Sequence, residues 1–142
     1  MSIWFTPPDL ADLNRIHAGT AVAALGIRIT AVGDDFLAGT MPVDARTRQP
    51  AGLLHGGASV LLAETLGSAA AIACVDPATQ YCVGLEVNAN HVRGVRDGIV
   101  TGVARPLHIG RTSHVWSIEI RTADDQLVCV ARLTAAVIAK PN

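Results

Sequence analysis

Apolar and polar positions fall into two regimes along the chain. The first half is dominated by residues 57–75, where nearly every position is hydrophobic or small. A run of that length without alternation predicts a buried helix. Ahead of it, Pro7-Pro8-Asp9 opens a short helix with Asp9 as cap, an apolar stripe of Leu10, Leu13 and Ile16 or His17, and Gly19 as its stop. Residues 20–32, mostly apolar with β-branched types, predict a strand, and Asp34-Asp35 turns the chain into a second strand over 36–43. Residues 44–54 read as a loop, and Asp76-Pro77 ends the long helix. The second half predicts strand after strand, over residues 80–95 (one strand, or one with a bulge), 99–105, 113–122 and 126–138. Asp97-Gly98 is a strong hairpin signal, and Asp124-Asp125 supplies a further turn.

This order predicts an α+β fold with an antiparallel sheet. A helix that is apolar on nearly every face has to be enclosed. A strongly curved sheet wrapped around one central helix satisfies this, which describes a hotdog fold. The 142 residues predict one domain, 1–142, without linkers or repeats. Half the residues are hydrophobic and 16% are charged, against about 25% in average domains. So sparse a charged surface predicts that another subunit covers part of it. The net charge of −1 gives no bulk basicity for nucleic acid or an anionic membrane. Residues 58–75 resemble a membrane span in length, but Glu64 at mid-span would cost about 2.5–3.5 kcal/mol on insertion scales. Cys74, Cys82 and Cys129 form no CxxC arrangement and read as reduced thiols, and the N-terminus shows no signal peptide. Both point to a cytoplasmic protein.

Glu64 is the main candidate for chemistry. No Lys or Arg lies between Pro50 and Ala78 to neutralise it, and a buried charge is costly unless paired. Ser68, four residues on, shares its helix face and could hold a water or substrate atom with it. At the helix start, Leu54-His55-Gly56-Gly57 offers unpaired N–H groups at the positive end of the dipole, which suits a carbonyl becoming an oxyanion. Gln49 in the preceding loop and His55 are candidates to orient that carbonyl. Gly57 and Glu64 are about 10 Å apart along a helix axis, too far for both to touch one carbonyl. The expected solution is a composite site between two chains. His91 and Arg93 point to one face of a strand, and Arg93, Arg96, Arg105 and Arg111 suggest a basic patch for phosphates. No tight His/Cys/Asp cluster suggests a metal, and no cofactor is expected.

The run from Asp44 through Gln49-Pro50, Leu54-His55-Gly56-Gly57 and Leu62-Ala63-Glu64 resembles the hotdog-fold acyl-CoA thioesterases. Within them it resembles the 1,4-dihydroxy-2-naphthoyl-CoA thioesterases and the enterobactin-synthase proofreading thioesterases. Residues 83–93 and 106–110 fit the same group, and the resemblance covers about residues 13–138. It implies metal-free hydrolysis of acyl- or aryl-CoA with Glu64 as catalytic carboxylate. Gln49, His55 and the Gly56 N–H would meet the thioester carbonyl across a dimer interface, and Ser68 would help place the water. Gly84, His91, Arg93 and His108 match substrate or CoA positions. A homodimer, paired into a homotetramer, is implied.

Small side chains at Ala69, Ala70 and Ala71 predict room for an aromatic ring, hence aryl or β-keto acyl groups over long straight chains. Glu64 acts either as a nucleophile or as a general base toward water. The rival readings are a hotdog enoyl-CoA hydratase or dehydratase and a non-catalytic acyl-CoA-binding module. His55 followed by two glycines favours carbonyl polarisation over proton abstraction.

Overall fold

A computed structural model describes residues 1–141. The first element is helix α1 (Leu10–Ile16), where Asp9 caps by accepting from the Asp12 N–H at 2.9 Å. Asn14 fastens this helix to the sheet. Its amide donates to the Ile29 carbonyl at 2.9 Å and accepts the Ile29 N–H at 3.0 Å. A strand was expected from residue 20, but the chain first makes a short helix, α2 (Ala21–Ala24), and β1 (Arg28–Val32) begins later. Alanine is the best helix former, which favours a helical turn at Ala21, Ala23 and Ala24, and Gly26, at φ +72°, closes it.

Strand β2 (Leu37–Pro42) and helix α3 (Gly56–Ala73) follow. Then come β3 (Gln80–His91), β4 (Ile99–Ile109), β5 (Ser113–Thr122) and β6 (Leu127–Ala139). They form one antiparallel sheet in the order β1-β2-β4-β5-β6-β3. Strand β4 runs through Pro106 to Ile109, beyond its expected end, with a bulge between Pro106 and His108, a usual setting for a proline within a sheet. Strand β3 stops at His91, short of residue 95, and carries a bulge between Gly84 and Glu86.

The sheet curves around α3, and Leu62 and Leu66 meet Trp116, Ile118 and Leu133 in a fully buried core. The fit is close: a Cβ on Gly67 would lie 2.6 Å from Leu133 Cδ2, and one on Gly102 2.8 Å from Leu66 Cδ1. The expectation that α3 is enclosed holds on one side only. Ala58, Leu62, Leu66 and Ala70 are buried, whereas Ile72 is half exposed and Leu61, Glu64, Thr65 and Ser68 are only partly covered. The helix is long and apolar enough to cross a membrane, but one face of it is the core of the sheet.

Candidate active site

The loop before α3 is built around Thr47, which is 1% exposed. Its hydroxyl donates to the Pro42 carbonyl at 2.7 Å and accepts the Asp44 N–H at 3.1 Å, while its carbonyl accepts the His55 N–H at 2.8 Å. The helix start is thereby held against the end of β2. Sequence reasoning passed over Thr47, because nothing in a loop threonine signals that it will be buried. Gln49 sits in the turn that feeds α3. Its Oε1 accepts the Ala51 N–H, and its amide nitrogen has no partner among the described residues.

His55 is the N-cap of α3, its Nδ1 accepting the Gly57 N–H at 2.8 Å. A ring nitrogen that accepts leaves the other as the donor, so Nε2 carries the proton and is free to meet a carbonyl. The Gly56 N–H donates to nothing among the described residues. His91, on β3, comes up beside it. A Cβ on Gly56 would lie 2.8 Å from His91 Nε2. Arg93 lies just beyond, exposed, in a surface cleft of about 340 Å³ with Arg96 and Asp97.

The second group lies at mid-helix. Glu64 is partly exposed rather than buried, with no ion pair among the described residues. Its carboxylate rests on the backbone of Gly84: a Cβ there would be 2.6 Å from Oε1. Glu64 and Ser68 line a cavity of about 380 Å³ whose walls are otherwise largely apolar, including Leu13, Val22, Leu61 and Ile72. Of the three alanines expected to make room, only Ala69 lines it, while Ala70 and Ala71 are fully buried against the sheet. The opposite wall comes from α1 and α2, and reading residues 20–32 as strand hid it.

These two groups are separate in one chain, eight residues of helix or about 12 Å apart. Two other expected groupings do not form. His108 lies six residues along β4 from Gly102, the position level with His91, so about 20 Å of strand separates them. The four arginines do not make one patch. Arg105 is carried away along β4, pairs with Asp35 at 2.6 Å and covers the Phe36 ring, while Arg111 lies in the β4–β5 turn. Among the described residues no three His, Cys, Asp or Glu lie close enough to hold a metal ion.

An unpaired carboxylate at an apolar cavity, with a free N–H at a helix start, is equipment for opening an activated acyl group. Residues 51–129 match the thioesterase superfamily. The 1,4-dihydroxy-2-naphthoyl-CoA hydrolase of Escherichia coli is 52% identical over 136 residues, covering 96% of this chain and 99% of that one. A thioesterase of Pseudomonas aeruginosa, crystallised as a glutamine-to-alanine variant, superposes with a TM-score of 0.96 at 55% identity, over 98% of this chain and 100% of that one. A Staphylococcus aureus thioesterase has been solved as a glutamate-to-alanine variant (TM-score 0.80, 37% identity) and as a glutamine-to-alanine variant (0.79, 38%). Each covers 84% of this chain and 98% of that one. The chain belongs to the thioesterase superfamily and is a thioester hydrolase with the hotdog fold.

Proposed function

We propose that the protein hydrolyses acyl-CoA thioesters with aryl or β-keto acyl groups, 1,4-dihydroxy-2-naphthoyl-CoA among them, in a site shared by two copies of the chain. The observation that carries this reading is the pairing of Glu64 and Ser68 with an apolar cavity, about 12 Å from the unpaired Gly56 N–H. The Gly56 N–H and His55 Nε2 of one copy polarise the carbonyl, with Gln49 beside them. Glu64 of the other copy then attacks, or deprotonates a water held with Ser68. Solvent oxygen-18 entering the Glu64 carboxylate in a single turnover marks the first route. His91 and Arg93 take the CoA portion beside the helix start, His108, about 20 Å from His91 in one chain, joins it from another copy, and Gly84 meets the substrate beside Glu64.

The edge of the sheet supports a second copy. β3 is a 12-residue edge strand whose Tyr81, Val83 and Leu85 are exposed, and such an edge invites pairing. Antiparallel pairing of two β3 strands about a two-fold axis near Val87 brings the Gly84–Glu64 end of one copy level with the Gly56–His91 end of the other. The separation of fifteen residues between the two substituted positions of the Staphylococcus aureus enzyme is also that between Gln49 and Glu64. That spacing supports giving both residues a role.

Thiol release from a panel of CoA esters tests the reading. Glu64→Gln should lose about 10²–10⁴ in rate while still binding ester, and near-normal turnover would refute the assignment. Gly56→Pro deletes the N–H at the first helical position, where proline is tolerated, and the His55 ψ of 128° already suits a following proline, although the new Cβ also pushes the His91 ring aside. Each variant alone should be inactive. Equal mixing of the two should restore roughly a quarter of wild-type activity by random pairing, whereas a site built within one chain would restore none.

A further inference from the structure

The cavity beside Glu64 has two unlike walls. Helix α3 supplies Glu64, Ser68 and Thr65, the last with its hydroxyl donated to the Leu61 carbonyl at 2.7 Å. The opposite wall, from α1 and α2, is apolar except for one ring, that of His17. His17 Nε2 is closed to solvent and has no hydrogen-bond partner. Buried polar atoms are nearly always paired, because a shielded one forfeits hydration without compensation. A cavity otherwise suited to an apolar group therefore has one unanswered polar atom in its far wall.

The backbone holds His17 in place. Its carbonyl accepts both the Thr20 N–H at 3.2 Å and the Thr20 hydroxyl at 2.6 Å. The ring retains its own torsions, and the second side-chain torsion of an imidazole is broad. Contact with a ligand requires a turn about it that brings Nε2 from the wall to the lumen.

We propose that His17 is a specificity-determining residue that reads a hydroxyl on the acyl group. The proposal rests on the thioesterase site placed in this cavity, and it adds a polar contact that an aryl or keto group alone does not require. A hydroxyl both donates and accepts, so it complements Nε2 in either tautomer, whereas a keto oxygen serves only the protonated one. His17 and Glu64 line the same cavity from different helices, so a contact at His17 leaves the thioester free at the α3 wall. Selectivity of this kind comes from the cost of leaving the site's polar atom unpaired.

The test compares benzoyl-CoA with 2-, 3- and 4-hydroxybenzoyl-CoA on wild type, His17→Phe and His17→Gln. His17→Phe keeps a ring and removes the nitrogen. It should lower kcat/KM about 5- to 10-fold for the hydroxy isomer wild type favours and leave benzoyl-CoA within about twofold. His17→Gln should recover part of that preference. Equal loss on both kinds of ester, no change on either, or a wild type indifferent to the hydroxyl would overturn the proposal. Calorimetric binding of the same esters to Glu64→Gln, with and without His17→Phe, reads the preference without turnover. If none of these esters released thiol, the aryl-acyl reading of the site would fall, and the binding ratio would still decide the part given to His17.

Discussion

Gly84 offers a way to move the Glu64 carboxylate without touching it. An alanine there places its Cβ 2.6 Å from Glu64 Oε1, and ordinary contact begins near 3.4 Å. The carboxylate must retreat by about 0.8 Å. The next neighbours of that Cβ are Glu64 Cδ and Leu133 Cδ1, both at 3.7 Å, so only the far end of one flexible side chain has to give. Gly84 has no left-handed backbone angle for alanine to strain. Stability should therefore stay within about 1 kcal/mol of wild type, and the loss of unfolded-chain freedom favours the variant slightly. The rate should not survive as well. A misplacement of about 1 Å in a reacting group costs on the order of 10²-fold, so kcat for thiol release should fall by about that factor. Thermal unfolding and thiol release on one preparation decide the matter. Gly67→Ala is the contrast, since its Cβ meets the buried Leu133 at 2.6 Å inside the core and should lower Tm. Wild-type turnover by Gly84→Ala would mean that the position of Glu64 does not limit the chemistry.

His55 both caps α3 and offers Nε2. His55→Asn should preserve the cap and lose activity, whereas His55→Ala should lose activity and also about 1 kcal/mol of stability; equal unfolding midpoints for the two variants would contradict this division. His114 is 1% exposed, and burial lowers its pKa from the usual 6.5, helped by nearby His108. The unfolded chain therefore takes up a proton that the folded one resists, and stability falls as pH drops below about 6.5. His114→Phe should flatten that limb of the stability–pH curve, and parallel curves for the two proteins would refute it.

The strands of the second half were legible because each turn carries its own chemistry, as at Asp97-Gly98, and alternation survives between turns. α2 was not, because β-branched residues around a short alanine-rich stretch gave a strand-like average. Glu64 stood out because an unpaired carboxylate is costly to bury in an apolar run, and the structure places it, partly exposed, at a cavity. Its surroundings were not. Hydrophobicity counts the apolar faces of a helix without saying what covers each one, so α3 looked enclosed when one side of it lines a cavity. For the same reason Ala69 looked equivalent to Ala70 and Ala71, which face the core.

The bulge in β3 shows how local irregularity serves the site. Before it, Cys82 and Gly84 face α3: the Cys82 thiol reaches the Ala71 carbonyl, and Gly84 backs Glu64. After it, Val87 and Ala89 pack on the core and His91 meets Gly56. Leu85 is the additional residue between Gly84 and Glu86, and it is 65% exposed. A strand continuing in phase from Gly84 would turn Glu86 inward and His91 outward. A second carboxylate would then lie near Glu64 and oppose its ionisation, since like charges in one site cannot both be held cheaply. The bulge prevents this. Glu86 stays outside, accepting from the Asn88 amide at 2.9 and 3.1 Å. One inserted residue thus keeps Glu64 the lone carboxylate at its cavity and brings His91 to the helix start.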